Sequence, residues 1–127
     1  MSLDIIPVNP DWIERNYDVA VTMVAHCFAG VDDGDVVAAG GLAWGKGRCF
    51  MFLRVDRPDP SYALPIVRYA KKLLKQARQF GDMAVYAPRD TSLSTSTKLL
   101  TLLGFQFHAM EPDEAGNEHE VWRAWLG

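Results

Sequence analysis

The stretch Met83-Ala84-Val85-Tyr86-Ala87, followed by Asp90-Thr91-Ser92-Leu93-Ser94-Thr95-Ser96-Thr97-Lys98-Leu99-Leu100-Thr101-Leu102-Leu103-Gly104-Phe105, decides the fold. The first five residues read as a short strand. The Ser/Thr-rich run is suited to capping, because hydroxyl oxygens can accept from the unpaired amides at a helix start. A helix is expected near Ser94–Leu103, stopped by Gly104. Strands follow near Phe105–Met110 and Glu120–Trp125, joined by a loop over Glu111–Glu118.

Upstream, Ser61–Phe80 reads as a long amphipathic helix. Leu64, Val67, Ala70, Leu74 and Ala77 step by three or four, and Gly81 closes it. Arg68, Lys71, Lys72, Lys75 and Arg78 share a helical spacing and are expected to form its solvated face. Before it lie the proline-rich break Asp56–Pro60 and a strand over Arg48–Val55. Gly45-Lys46-Gly47 and Val31-Asp32-Asp33-Gly34-Asp35 are turn signals, so His26–Ala29 is expected to pair with Val36–Trp44. Asp4–Val8 reads as a first strand. Asn9-Pro10 then starts a short helix containing Trp12, Ile13 and Tyr17, with Asn9 as cap and Pro10 in the first turn. Asp18–Ala29 is compatible with helix or strand, and helix early with strand late is the favoured reading. The order is α+β with a mixed sheet, in one domain spanning 1–127.

Composition narrows the function classes. Apolar content of 49% and charge of 23% fit a soluble globular chain. A net charge of −3 argues against nucleic-acid binding by bulk electrostatics. No apolar run approaches the roughly 18 residues needed to span a bilayer, and there is no secretory pattern, so a cytoplasmic protein is expected. Cys27 and Cys49 lack metal-ligand spacing and read as buried free thiols, so no metal is expected.

Strand, polar cap, short helix, Leu103-Gly104-Phe105, strand, turn, strand resembles the C-terminal half of the GCN5-related N-acetyltransferases (GNAT). The resemblance covers about residues 34–126, and Asp4–Tyr17 extends it. It implies a mostly antiparallel sheet flanked by helices, acetyl-CoA as co-substrate, and an amine of a small molecule or protein as acceptor. The strand Arg48–Val55 would lie beside the pantetheine arm, with the backbone of Phe52, Leu53, Arg54 and Val55 holding it. A bulge there would free an amide to polarise the thioester carbonyl, as in an oxyanion hole.

The family's glycine-rich diphosphate loop corresponds here to Asp56-Arg57-Pro58-Asp59-Pro60-Ser61-Tyr62-Ala63, which has no glycine. Arg57 and the amides of Ser61, Tyr62 and Ala63 are left to meet a diphosphate, beside the repelling carboxylates of Asp56 and Asp59, so weak coenzyme A binding is expected. Ser94 and Lys98 on the following helix complete the implied cofactor set. Leu93 stands where the family often has Asn. Leu100 stands where it often has the tyrosine that protonates the leaving thiolate. Ser94, Thr97 or Thr101 on this helix, or Tyr86 on the preceding strand, could substitute for that tyrosine, and Asp56, Asp90 or His26 could take the acceptor's proton. Each has a plainer use: the Ser/Thr hydroxyls in capping, Asp56 and Asp90 in turns, His26 in the core, Tyr86 in packing.

Two functional readings follow. One is an N-acetyltransferase. The other is a catalytically degenerate GNAT-fold binding or structural module, of the short kind found in phages and prophages. Either is compatible with a homodimer. A cleft between Arg48–Val55 and Met83–Ala87 that is open favours the first. One filled by Tyr62 or Arg89 favours the second.

Overall fold

The computed structural model describes residues 3–17, 24–57, 59–89, 96–113 and 115–126. In chain order they form β1 (Asp4–Val8), α1 (Pro10–Tyr17), β2 (Val24–Asp32), β3 (Asp35–Gly45), β4 (Arg48–Val55), a 3-10 turn (Pro60–Tyr62), α2 (Ala63–Gln79), β5 (Ala84–Pro88), α3 (Ser96–Leu102), β6 (Gln106–Pro112) and β7 (Glu118–Trp125). The described strands make one sheet in the order β1-β2-β3-β4-β5-β7-β6. Every adjacent pair is antiparallel except β4 and β5. This is the α+β, mostly antiparallel architecture expected from the sequence.

Local chemistry explains the elements. Asn9 Oδ1 accepts from the Trp12 amide at 2.9 Å, which caps α1 with Pro10 in its first turn. The β2–β3 and β3–β4 hairpins turn on Asp33-Gly34 and Lys46-Gly47, all four at positive φ. That is the two-residue turn whose twist matches the flanking strands. The last hairpin is longer than the sequence predicts. Its strands reach Pro112 and Glu118, and Asp113 Oδ1 closes the turn by accepting from the amides of Ala115 and Asn117.

α1 covers one face of the sheet, with Ile13 packed on Cys27 and Ala39 and with Phe52 beside them. α2 and α3 cover the other, over Phe28, Leu42, Cys49, Met51, Val85, Phe105 and Ala124. Burial of each large apolar side chain contributes about 1.5–3 kcal/mol. The inward stripe of α2 is Ile66, Ala70, Leu73 and Ala77, while Leu64 is 57% exposed. This corrects the expected stripe through Leu64. The cause is Tyr62, which is buried just before the helix and fixes its rotation, so that the buried row continues from 62 through 66, 70, 73 and 77. Arg68, Lys71, Lys72, Lys75 and Arg78 are all exposed, as the pattern predicts.

Two further readings of the sequence can be compared with the structure. Cys27 and Cys49 are buried and free. His26 is not a core residue. It is exposed, with its ring edge-on to Trp44 and Phe80 at 5.4 and 5.6 Å. Among the described residues no group of three or more His, Cys, Asp or Glu could hold a metal ion, and no helix is long and apolar enough to cross a membrane.

Candidate active site

The site is built on the one parallel pair. β4 and β5 are in register only at Cys49–Val85 and Phe50–Tyr86. Beyond these the strands part. β4 stays paired to β3 without interruption from Arg48–Gly45 to Val55–Ala38. Its other edge is therefore open past Phe50. The bulge that the resemblance places in β4 is absent, and unpaired edge amides come from the fork itself. The cleft beyond the fork is a narrow cavity of about 60 Å3 that opens to solvent. Met51, Phe52, Leu53, Ala87, Pro88 and Leu99 are among its apolar walls.

Neither of the two side chains named as possible fillers of the cleft lies in it. The Tyr62 hydroxyl donates to Asp32 Oδ2 at 2.5 Å and lies in the cluster of Leu3, Val37 and Ile66. Arg89 turns to β7, where Nε and Nη2 both donate to Glu120 Oε2, at 2.9 and 2.5 Å. An apolar channel with an exposed strand edge suits a pantetheine arm, whose amides can add to β4 as a strand would.

The far end of the cleft is less suited to a diphosphate. The Ser61 amide donates to Asp59 Oδ1 at 2.8 Å, the Tyr62 amide to Asp59 O at 3.0 Å, and the Ala63 amide to Pro60 O. All three amides therefore have partners within the turn. Arg57 is engaged too. Its Nη2 donates to Tyr62 Oη at 3.1 Å and lies 3.6 Å from Asp32, and its Nη1 lies 3.7 Å from Asp35. Hydrogen bonds from the amide and hydroxyl of Ser61 hold the Asp59 carboxyl below the usual range, so this end of the cleft carries a fixed negative charge.

The other residues singled out by sequence fall as follows. Phe52 and Leu53 line the cleft, Val55 packs against the Leu3–Tyr62 cluster, and Arg54 Nε donates to Asp56 at 2.8 Å. Asp56 follows β4, about six residues and roughly 20 Å along the strand from the fork, at ~3.3 Å per residue. Lys98 is exposed on α3, and Leu100 is buried. Asp90 and Ser94 lie outside the described residues.

Of the catalytic candidates Tyr86 and Asp56, Tyr86 stands at the fork and Asp56 does not. Around Tyr86 is a polar cluster that the sequence reading missed. The Arg48 guanidinium lies 4.3 Å over the Tyr86 ring and donates to Glu111 at 2.9 and 3.1 Å. The His108 ring meets Tyr86 edge-on at 5.3 Å, with Nε2 4.0 Å from Glu111 Oε2. Phe50 packs on Tyr86 at 6.3 Å. This cluster shares the face of α1, because Phe50 lies two residues from Phe52 on β4 and strand side chains alternate. Its residues come from β4, β5 and β6 and have no common motif. Pairing alone brings them together.

No protein-family model matches the chain, and no curated protein matches it. Solved structures do. The IAA acetyltransferase of Bacillus cereus superposes with a TM-score of 0.71 at 14% identity, over 98% of this chain and all of that one. The Salmonella typhimurium protein yncA, solved with its cofactor acetyl-CoA, gives 0.69 at 14%, over 100% and 95%. The ribosomal-protein-S18-alanine N-acetyltransferase of Escherichia coli gives 0.64 at 14%, over 98% and 94%. The fold is that of the GNAT acetyltransferases, along essentially the whole chain.

Proposed function

We propose that the protein is an N-acetyltransferase that moves the acetyl group of acetyl-CoA to an amine of a small molecule or protein. The observation that carries this reading is the fork. β4 and β5 pair at two positions and then open around an apolar cleft that Tyr62 and Arg89 leave clear. The structural neighbours with acetyltransferase names support it.

Acetyl-CoA would supply an activated acyl thioester. The open edge of β4 past Phe50 would hold the arm that carries it, and amides on that edge would be available to the carbonyl as charge develops. Phe52, Leu53 and Leu99 give the channel apolar walls. Tyr86 stands at the fork, beside the point where the acyl group would emerge toward the face of α1.

A second reading, a binding or structural module without transfer chemistry, draws support from the diphosphate end, where the turn bonds its own amides. One titration decides between them. A ligand that binds only the folded state adds RT ln(1 + [L]/Kd), about 2.7 kcal/mol at a hundredfold excess over Kd. Thermal unfolding with acetyl-CoA, followed by calorimetry, should show a saturable shift. No shift at millimolar ligand overturns the transferase reading.

A further inference from the structure

β6 carries an irregularity that turns one side chain out of its expected direction. Phe107 pairs with Trp122 and Ala109 with Val121, so His108 is the extra residue of a bulge. A bulge disturbs the alternation of side chains and re-aims the residue at its centre, and such devices gather beside active sites. The ring aimed here meets Tyr86, the last residue of β5 to pair with β4 before the cleft opens. His108 is 24% exposed, so a solute can reach it, and Glu111, held by Arg48, stands behind Nε2.

We propose that His108 is the group that takes the proton from the acceptor amine, with Glu111 and Arg48 as positioning residues. This rests on the transferase reading above. The acceptor arrives as an ammonium ion, and His108 removes one N–H proton. The freed lone pair bonds to the thioester carbonyl carbon, and the C–S bond breaks with its electron pair leaving on sulfur. A second proton, lost from the nitrogen as it becomes an amide, goes to the thiolate. The proton on His108 returns to solvent. Ammonium plus thioester therefore gives amide, thiol and one released proton.

Around His108 the strands of this face bring charged and titratable groups from four directions. β4 gives Arg48, β5 gives Tyr86, and β6 gives Glu111. β7 gives His119, opposite Glu111, and Arg123, opposite Tyr86. Arg123 is turned onto the Trp125 ring at 4.3 Å. His119 Nδ1 is buried without a hydrogen-bond partner. The cluster thus holds one carboxylate already paired and one half-buried imidazole facing the fork. His108 is the better placed to accept a proton, because Glu111 is occupied by a guanidinium.

The test uses the wild-type chain, His108→Ala and His108→Gln. Acetyl-CoA binding is followed by calorimetry, and thiol release is followed with tryptamine, spermidine and a peptide with a free N-terminus. Both variants are expected to bind acetyl-CoA as wild type does. Their kcat should fall about a hundredfold or more, the scale of a positioned general base. The acid-side limb of the rate–pH profile should vanish, and added imidazole should restore turnover to His108→Ala. Wild-type rates and an unchanged pH profile in both variants overturn the assignment and leave the transferase reading standing. So does a loss of rate that imidazole does not restore. A wild-type chain that binds no acetyl-CoA, or that acetylates none of the three amines, overturns the transferase reading and this inference with it.

Discussion

Asp59 Oδ1 accepts two hydrogen bonds from Ser61, one from its amide at 2.8 Å and one from its hydroxyl at 2.7 Å. The carboxylate therefore occupies donors that the proposed acetyl-CoA site would otherwise offer to a diphosphate. An anion at a helix start is worth about 0.3–1 kcal/mol, and here the protein supplies its own. Removing it frees an amide and a negative charge together. Asp59→Gly should bind acetyl-CoA about two- to fivefold more tightly than wild type. Glycine at a cap position costs only a few tenths of a kcal/mol, so the fold should survive. Calorimetry on the two proteins checks this, and unchanged or weaker binding would show that the diphosphate does not approach Ser61.

The contrast between this turn and the rest of the chain shows what the sequence made legible. Strand β4, both two-residue turns and the Asn9 cap were readable because each follows from local chemistry: glycine at positive φ, an amide-accepting side chain, an apolar run with Phe50, Phe52 and Val55 in it. The absence of loop glycines at Asp56–Ala63 was equally plain. The bonding of Ser61, Tyr62 and Ala63 within the turn was not, since Asp59 could as well have faced solvent. His108 was harder still. Its direction depends on a register shift against β7, and neither glycine nor proline marks it. Of the α2 stripe, Val67, Ala70, Leu74 and Ala77 do meet the core, and only Leu64 was misplaced, for a related reason. The buried Tyr62, anchored on Asp32 from a distant hairpin, sets the helix rotation, and periodicity within the helix does not contain that contact.

Asp32 is the buried charged residue of the described core, 3% exposed. Its Oδ2 accepts from Tyr62 Oη at 2.5 Å, with Arg57 Nη2 at 3.6 Å. Tyr62→Phe keeps the packing and removes the hydroxyl, which leaves the carboxylate short of its nearer partner. A hydrogen bond to a charged group contributes about 1.5–3 kcal/mol, so urea unfolding should show a loss of that size with an unchanged m-value. A loss below about 0.5 kcal/mol would mean that Arg57 alone satisfies Asp32.

Gly41 pairs with Cys27 on one side and Phe52 on the other, and has φ +154. A Cβ there would lie 2.0 Å from the His26 carbonyl oxygen, a backbone atom that cannot swing aside. Gly41→Ala must push β2 away from β3 directly beside the cleft strand. The expected cost is about 3 kcal/mol or more, read as a fall in thermal midpoint or as loss of soluble protein. Gly47→Ala is the control for a glycine with open space around it. Its positive φ makes it strained, but the cost should be nearer 1 kcal/mol.

The Cys49 thiol is pushed up to about 12, chiefly by burial and then by the charge and hydrogen bond of Asp82. Burial raises Cys27 as well. The thiolate is the reactive form, so at pH 8 the folded chain should react with a thiol-specific reagent only as fast as it opens, and both thiols should appear together in denaturant. Asp82→Asn removes the lesser cause and accepts the same Trp44 Nε1–H, now 2.8 Å from Asp82 Oδ2. Cys49 should remain protected in it. Rapid labelling of Cys49 in that variant would place the protection in Asp82 and not in burial.

Glu120 joins the open end of the fork to the last hairpin. Its Oε2 accepts both Arg89 bonds, its Oε1 accepts from Trp122 Nε1 at 3.2 Å, and its backbone oxygen accepts the Arg89 amide at 3.0 Å. The Arg89 hydrogen bonds, then that of Trp122, hold its carboxyl below the ordinary value of 4.5. The folded state therefore binds this proton less readily than the unfolded chain does. The resulting stability is present above about pH 4.5 and is lost as pH falls through the lower folded value. Glu120→Gln, which cannot ionise, should lack that part of the acid dependence. Wild type and variant should differ most in urea midpoint near neutral pH and converge as pH falls below 4.5 through the folded value. Parallel curves across the whole range would show that the Arg89–Glu120 pair, at this exposure, adds nothing to the fold that solvent does not already supply.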